Sequence, residues 1–161
     1  MSTRRIANIA LYTAIVAIVT ALIAVPIGTF GYINLSDLLI MSLCVLLDPS
    51  DAMIAGGLGA MISDIYLGYS QYAIPTLIIK ALEALIVSKL LKRTPYKCLA
   101  FVAGGLWILV GYGATDTLLT MDMRMFLPSV LGNLPQALIA MVAASLAYTP
   151  LVRYFRKERH G

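Results

Sequence analysis

Charge is scarce in this 161-residue chain: 12% of residues are charged and 60% are hydrophobic. An ordinary soluble domain carries about 25% charged residues, and one of this length could not hide so much apolar surface, so the composition points to a membrane protein. Cysteine is equally sparse. Cys44 and Cys98, each in or beside an apolar run, offer neither a disulfide framework nor a metal-ligand pattern and read as small hydrophobes. The single histidine, His160, belongs to a charged, solvated tail. No GxxxxGKS/T or HExxH pattern occurs and no Ser–His pairing is visible. The chain is therefore not expected to hydrolyse ATP, hold a metal or cofactor, or act as an enzyme. A soluble domain, a low-complexity linker and a periodic repeat are also missing.

What is present is a series of apolar segments long enough to cross a bilayer as helices. They lie near residues 5–25, 36–48, 51–68, 75–92, 98–119 and 127–152. The first has the charged start of a signal peptide, but its apolar run is too long and no clean cleavage site precedes Pro26. With the N-terminus inside, Arg4, Arg5, the basic cluster between Lys89 and Lys97 and the tail from Arg153 to Arg159 all fall on the cytoplasmic side. Arg124 falls outside and Lys80 within a span. An odd number of spans would break this asymmetry, so the positive-inside rule selects six. The expected fold is an all-α integral membrane protein: one domain, residues 1–161, forming a compact six-transmembrane-helix bundle with both termini inside. Between spans two and three, Asp48 and Pro49 end one helix, and Ser50 or Asp51 is expected to cap the next.

Small residues recur at helical spacing. Ala7, Ala10, Ala14, Ala17, Ala21 and Ala24 form a stripe with spacings of 3 and 4 along the first span. Such stripes let helix backbones approach closely in lipid, within the bundle or against a partner protein. Gly56 and Gly59 of AGGLGA read as packing residues, not phosphate ligands.

The polar residues inside the spans converge on one side of the membrane. At 1.5 Å per residue, Lys80 lies about 8 Å and Glu83 about 12 Å below the outer surface. Asp116 lies about 5 Å, Tyr112 about 10 Å, Asn133 about 8 Å and Gln136 about 13 Å below it. Asp37 and Asp64 sit near the outer ends of their spans, whereas the inner half is nearly pure aliphatic. A conducting path would need polar groups in both halves. The pattern instead predicts a pocket open to the outside and closed beneath. Lys80 could meet an anionic oxygen, Asp116 or Glu83 could accept from ring nitrogens or hydroxyls, and Asn133 and Gln136 offer donors and acceptors. Tyr69, Tyr72, Tyr112 and Trp107 could supply stacking faces. Lys80 and Glu83, three residues apart on one helix face, could alternatively neutralise each other.

The segments GYINLSD (31–37), GGLGAMISDIYLGYSQYA (56–73), TLIIKALEALI (76–86) and NLPQAL (133–138) resemble the S components of energy-coupling-factor (ECF) vitamin transporters. The resemblance covers most of the chain. It implies a substrate-capturing subunit in the cytoplasmic membrane of a prokaryote. Such a subunit works with a transmembrane T subunit and two cytosolic ATPases, with no role for nucleic acid. It further implies that Ala10/Ala14 and Ala17/Ala21 match the AxxxA face that docks the T subunit, and that ATP-driven toppling carries the ligand inward. The vitamin would bind under the loop PIGTFGYIN, which adds Asn34 to the candidate ligand contacts, with Gly28 and Gly31 as lid hinges. TLIIKALEALI is most similar to members for vitamin B6 compounds or hydroxymethylpyrimidine, with another vitamin such as riboflavin as the alternative. Two other classes compete: a membrane enzyme using Asp37, Asp64 and Asp116, and an assembly protein whose alanine stripes serve only oligomer contacts.

Overall fold

The computed structural model of the protein describes residues 1–27 and 31–158; Gly28, Arg159 and His160 lie outside the described residues. Six helices account for most of it: α1 (Thr3–Leu22), α2 (Ser36–Leu46), α3 (Pro49–Tyr66), α4 (Ala73–Arg93), α5 (Lys97–Thr120) and α6 (Phe126–Glu158). They lie beside the six apolar segments of the sequence, and the chain is an all-α membrane bundle. The spans are unequal. α1, α5 and the stretch Met123–Phe155, which takes in most of α6, are long and apolar enough to cross a membrane. α2, with 11 residues, rises only about 16 Å, roughly half the hydrocarbon thickness. α6, with 33 residues, rises about 50 Å and overshoots it.

The connection between α1 and α2 is more than a loop. Val25–Ile27 (β1) and Gly31–Ile33 (β2) pair antiparallel, with Pro26 opposite Tyr32. Proline is tolerated because this ribbon has two strands and hence only edges. The ribbon leads directly into Asn34 and the first turn of α2, so it lies over one end of the bundle, the hairpin end. The opposite end carries Arg5.

At that opposite end the sequence expectation about capping is corrected. Asp48 occupies the N-cap position of α3 without a side-chain cap bond, and Pro49 begins the helix. Asp51 is engaged elsewhere: Arg5 Nε donates to its two oxygens at 3.0 and 2.9 Å, and Arg5 Nη2 reaches Oδ1 at 2.5 Å and Ser50 Oγ at 2.9 Å. A guanidinium fork on a carboxylate offers more bonds than one backbone N–H, and it ties α1 to α3.

Packing is built around the short helix. α2 contacts α1, α3, α4, α5 and α6, and its Ile40 and Met41 are fully buried beside Val16, Ala52, Val87, Phe101 and Ile108. Large aliphatic side chains such as Leu11, Ile18, Leu106 and Leu146 point outward, as lipid contact requires. Close helix approach rests on glycine. A Cβ on Gly59 would lie 2.7 Å from Val16 Cβ and 2.8 Å from the Thr13 carbonyl of α1. Gly56 similarly faces Ile40, so Gly56 and Gly59 of AGGLGA are packing residues. Cys44 is buried, with Sγ 3.4 Å from the Ala84 carbonyl oxygen, while Cys98 is exposed.

Candidate functional site

At the hairpin end, the helices splay around a cleft of about 440 Å³, counting the solvent at its mouth. Six segments supply its lining. Tyr32 and Asn34 come from the hairpin and its exit, and Asp64 from the end of α3. Tyr69 and Tyr72 come from the turn before α4, which contributes Thr76. Tyr112 and Asp116 come from α5, and Asn133 and Gln136 from α6. Of the candidates drawn from sequence, Asn34, Tyr69, Tyr72, Tyr112, Asp116, Asn133 and Gln136 meet here. Lys80 and Glu83 do not line the cleft. They are buried in the protein, at 1% and 0% exposure. Trp107 is also elsewhere, its indole N–H donating to the Ile79 carbonyl at 3.0 Å.

Lys80 is held by Asp37, a partner that spacing along α4 does not predict. Its ammonium bonds Asp37 Oδ1, which lies in the first turn of α2 and is wholly buried. Gln136 Nε2 donates to Asp37 Oδ2 at 2.5 Å, and Gln136 Oε1 accepts from the Asn34 backbone N–H at 2.8 Å. Asn34 Oδ1 in turn accepts from the Ser36 N–H at 2.7 Å. The ammonium also lies 5.4 Å from the centre of the Tyr112 ring, within cation–π range. The result is a continuous polar path from a buried ion pair to two cleft-lining residues. A buried charge is tolerable when paired and hydrogen-bonded, and Asp37 gives Lys80 that partner.

Glu83 is less well served. Its Oε2 lies 3.8 Å from Lys80 Nζ, and neither carboxylate oxygen has a hydrogen-bond partner. The shared helix face therefore does bring the two together, but as the weaker half of a triad. Two carboxyl groups, Asp37 and Glu83, share one ammonium.

The cleft walls carry two phenol–carboxylate pairs. Tyr32 donates to Asp64 Oδ1 and Tyr72 to Asp116 Oδ1, each at 2.6 Å. Burial, followed by the charge of Asp64, raises the pKa of the Tyr32 phenol; burial and the bond to Asp116 raise that of Tyr72. Both phenols consequently stay protonated as donors. Tyr32 also packs on Tyr69, ring centres 5.1 Å apart and tilted by 42°. Thr76 and Tyr112 share a hydroxyl–hydroxyl bond of 3.2 Å. Asn133 turns one amide N–H back to the Ser129 carbonyl at 2.9 Å. Tyr32 and Thr76 were not singled out from sequence. Asp64 enters the sequence reading by its depth and as one of three acids of the competing enzyme class, not as a ligand contact. The usable signal for Tyr32 was its place in GYIN, two residues before Asn34.

A second feature runs along α1 and α3. Ala10, Ala14 and Ala17 line an apolar groove with Ile9, Ile54 and Leu58, and Ala17 and Ala21 continue it beside Ile62 and Tyr66. Only Ile9, Val16 and Thr20 of α1 are buried. The alanine stripe thus borders an open groove.

The family model described as "ECF-type riboflavin transporter, S component" matches residues 1–153 of the chain. The chain is also similar to a protein of Pyrococcus woesei described as "Uncharacterized protein in gap 3'region". The two are 37% identical over 101 residues, which is 60% of this chain and 68% of that protein.

Proposed function

The chain belongs to the ECF-type riboflavin transporter S-component family, and from that premise we propose which substrate it captures and on which side. The substrate is a small hydroxylated nitrogen heterocycle, of pyridoxine or hydroxymethylpyrimidine size. It is taken up at the hairpin end, which faces outward, while Arg5 and the basic tail face the cytoplasm. The carrying observation is the cleft, a small open recess at the hairpin end lined by ten residues. Its lining of tyrosines, amides and carboxylates suits a polar aromatic ring edged with hydroxyl or nitrogen groups. Asn34 and Gln136 contact the ligand, and Lys80, through Asp37, sets the position of Gln136. The placement of basic residues at the Arg5 end supports the orientation.

Within the transporter, the groove bearing Ala10, Ala14, Ala17 and Ala21 receives the T subunit, which the two ATPases drive. Small side chains suit this role, since packing and not apolar transfer drives helix association in lipid.

The family description favours a second reading, riboflavin. The two differ in size, and one titration separates them. Purified full-length protein is mixed with pyridoxine, the hydroxymethylpyrimidine and riboflavin, and binding is followed by calorimetry and, for riboflavin, by quenching of its own fluorescence. Binding of a one-ring compound, lost in Gln136→Leu, supports the proposal. Tight riboflavin binding with no response to either one-ring compound would replace it.

A further inference from the structure

Resting on the placement of the substrate in the hairpin-end cleft, we propose that the substrate presents a protonated ring nitrogen, or an amino group beside a ring nitrogen, to Asp64 and Asp116, and that phosphorylated forms are refused.

The charge distribution at this end is one-sided. Asp64 and Asp116 line the cleft from α3 and α5, and they are 4% and 6% exposed. Among the described residues no lysine or arginine lines it. Lys80 is buried and committed to Asp37, and Arg124 is exposed in the turn before α6, off the cleft lining. An anion entering here would meet two carboxylates with no opposing cation.

Several donors of the lining are already spent within the protein. Tyr32 and Tyr72 spend their hydroxyl protons on Oδ1 of Asp64 and Asp116. Asn133 and Gln136 each turn an amide N–H toward protein acceptors, the Ser129 carbonyl and Asp37. On the other side of the balance, Asp64 Oδ2 is buried and has no hydrogen-bond partner. A buried carboxylate oxygen without a donor is a deficit. A ligand N–H supplies the missing donor, and a positive charge on the ring strengthens the bond. The phenols fix each carboxylate in place, so the acceptors are set before the ligand arrives. The same residues refuse a phosphate ester, which brings more acceptors and more negative charge to a site already rich in both.

The test uses full-length protein in lipid nanodiscs and four probes: 4-amino-5-hydroxymethyl-2-methylpyrimidine, pyridoxine, pyridoxal 5′-phosphate and riboflavin. The expected result is binding of the aminopyrimidine or pyridoxine, and none of the phosphate ester at concentrations that saturate the better probe. Asp64→Asn keeps the shape and removes the charge; it should weaken the bound probe roughly 10- to 100-fold, the range for hydrogen bonds to charged groups. Asp116→Asn carries the same expectation and stands in if Asp64→Asn does not fold. Tighter binding of the phosphate ester would overturn the proposal. So would an affinity change below about threefold in asparagine variants that melt like the wild type. Riboflavin binding that is lost in Gln136→Leu but indifferent to both asparagine variants would leave the cleft as the site and overturn the charge inference alone. Failure of all four probes with the wild type, while cells depending on the transporter still take one up, would overturn the cleft reading and this inference together.

Discussion

Replacing Lys80 by methionine removes the ammonium that faces Asp37 and Glu83 and leaves its aliphatic volume nearly unchanged. Lys80 and Asp37 are 1% and 0% exposed, so water cannot take over the lost partner. Breaking a buried ion pair from one side costs about 3–5 kcal/mol. For a chain of this length, where 1 kcal/mol moves the melting temperature by about 2–4 °C, the expected drop is roughly 6–20 °C. The sole tryptophan, Trp107, is a convenient reporter, because its indole N–H is bonded to Ile79, the residue before Lys80. Thermal unfolding of the purified full-length chain, followed by its fluorescence, gives the shift. The double variant Asp37→Leu/Lys80→Met removes both charges and should recover much of the loss, as apolar replacements of buried pairs commonly do. Ligand binding should not recover in it, because Gln136 loses the carboxylate that holds its amide. A Lys80→Met protein melting within about 2 °C of the wild type would refute the reasoning: Lys80 would then not be the centre of a buried charge network.

Other consequences follow from the same geometry. Ala14→Leu places a bulky side chain in the α1–α3 groove; it should leave ligand binding within error and abolish co-purification of the T subunit, scored on an affinity column. Gly59→Ala drives a Cβ to 2.8 Å from the Thr13 carbonyl and should cost about 1–3 kcal/mol through overpacking, read as a lower melting temperature. Glu83→Gln removes the surplus carboxyl of the triad, whose oxygens have no hydrogen-bond partner, and should melt no lower than the wild type at neutral pH. Cys98 is exposed and Cys44 buried, so a membrane-impermeant maleimide should label Cys98 in inside-out vesicles and not in intact cells. The opposite pattern would reverse the orientation proposed for the bundle.

The bundle was legible in the sequence because the bilayer imposes a length on each apolar segment and leaves few ways to satisfy its backbone. The hairpin was not, although Val25, Ile27, Tyr32 and Ile33 flank a short glycine-containing stretch of sequence, a combination that favours paired strands. Read as a plain connection, the segment concealed Tyr32 as a cleft residue. Depth along each helix collected Tyr112, Asp116, Asn133 and Gln136 at one end, since 1.5 Å per residue needs no knowledge of rotation. Pairing is a matter of rotation and of neighbours distant in sequence. Lys80 and Glu83 share a face by their spacing, whereas the ion pair that matters joins Lys80 to Asp37, 43 residues away. The capping role expected of Asp51 failed for the same reason: Arg5, 46 residues earlier, reaches it across the helix interface. Local spacing predicts only local partners, and both acids found long-range ones.

The central claim, that this S component captures its substrate in the hairpin-end cleft, is tested most directly by mass spectrometry. Tagged protein is purified from its own membranes in mild detergent, and its bound small molecules and companion proteins are read together for the wild type and for Asn133→Leu. The account predicts a vitamin-sized compound with the wild type and none with the variant, while both retain the T subunit and the two ATPases. A variant that keeps the same compound at the wild-type level would contradict it, because the ligand would then sit outside the cleft that Asn133 lines.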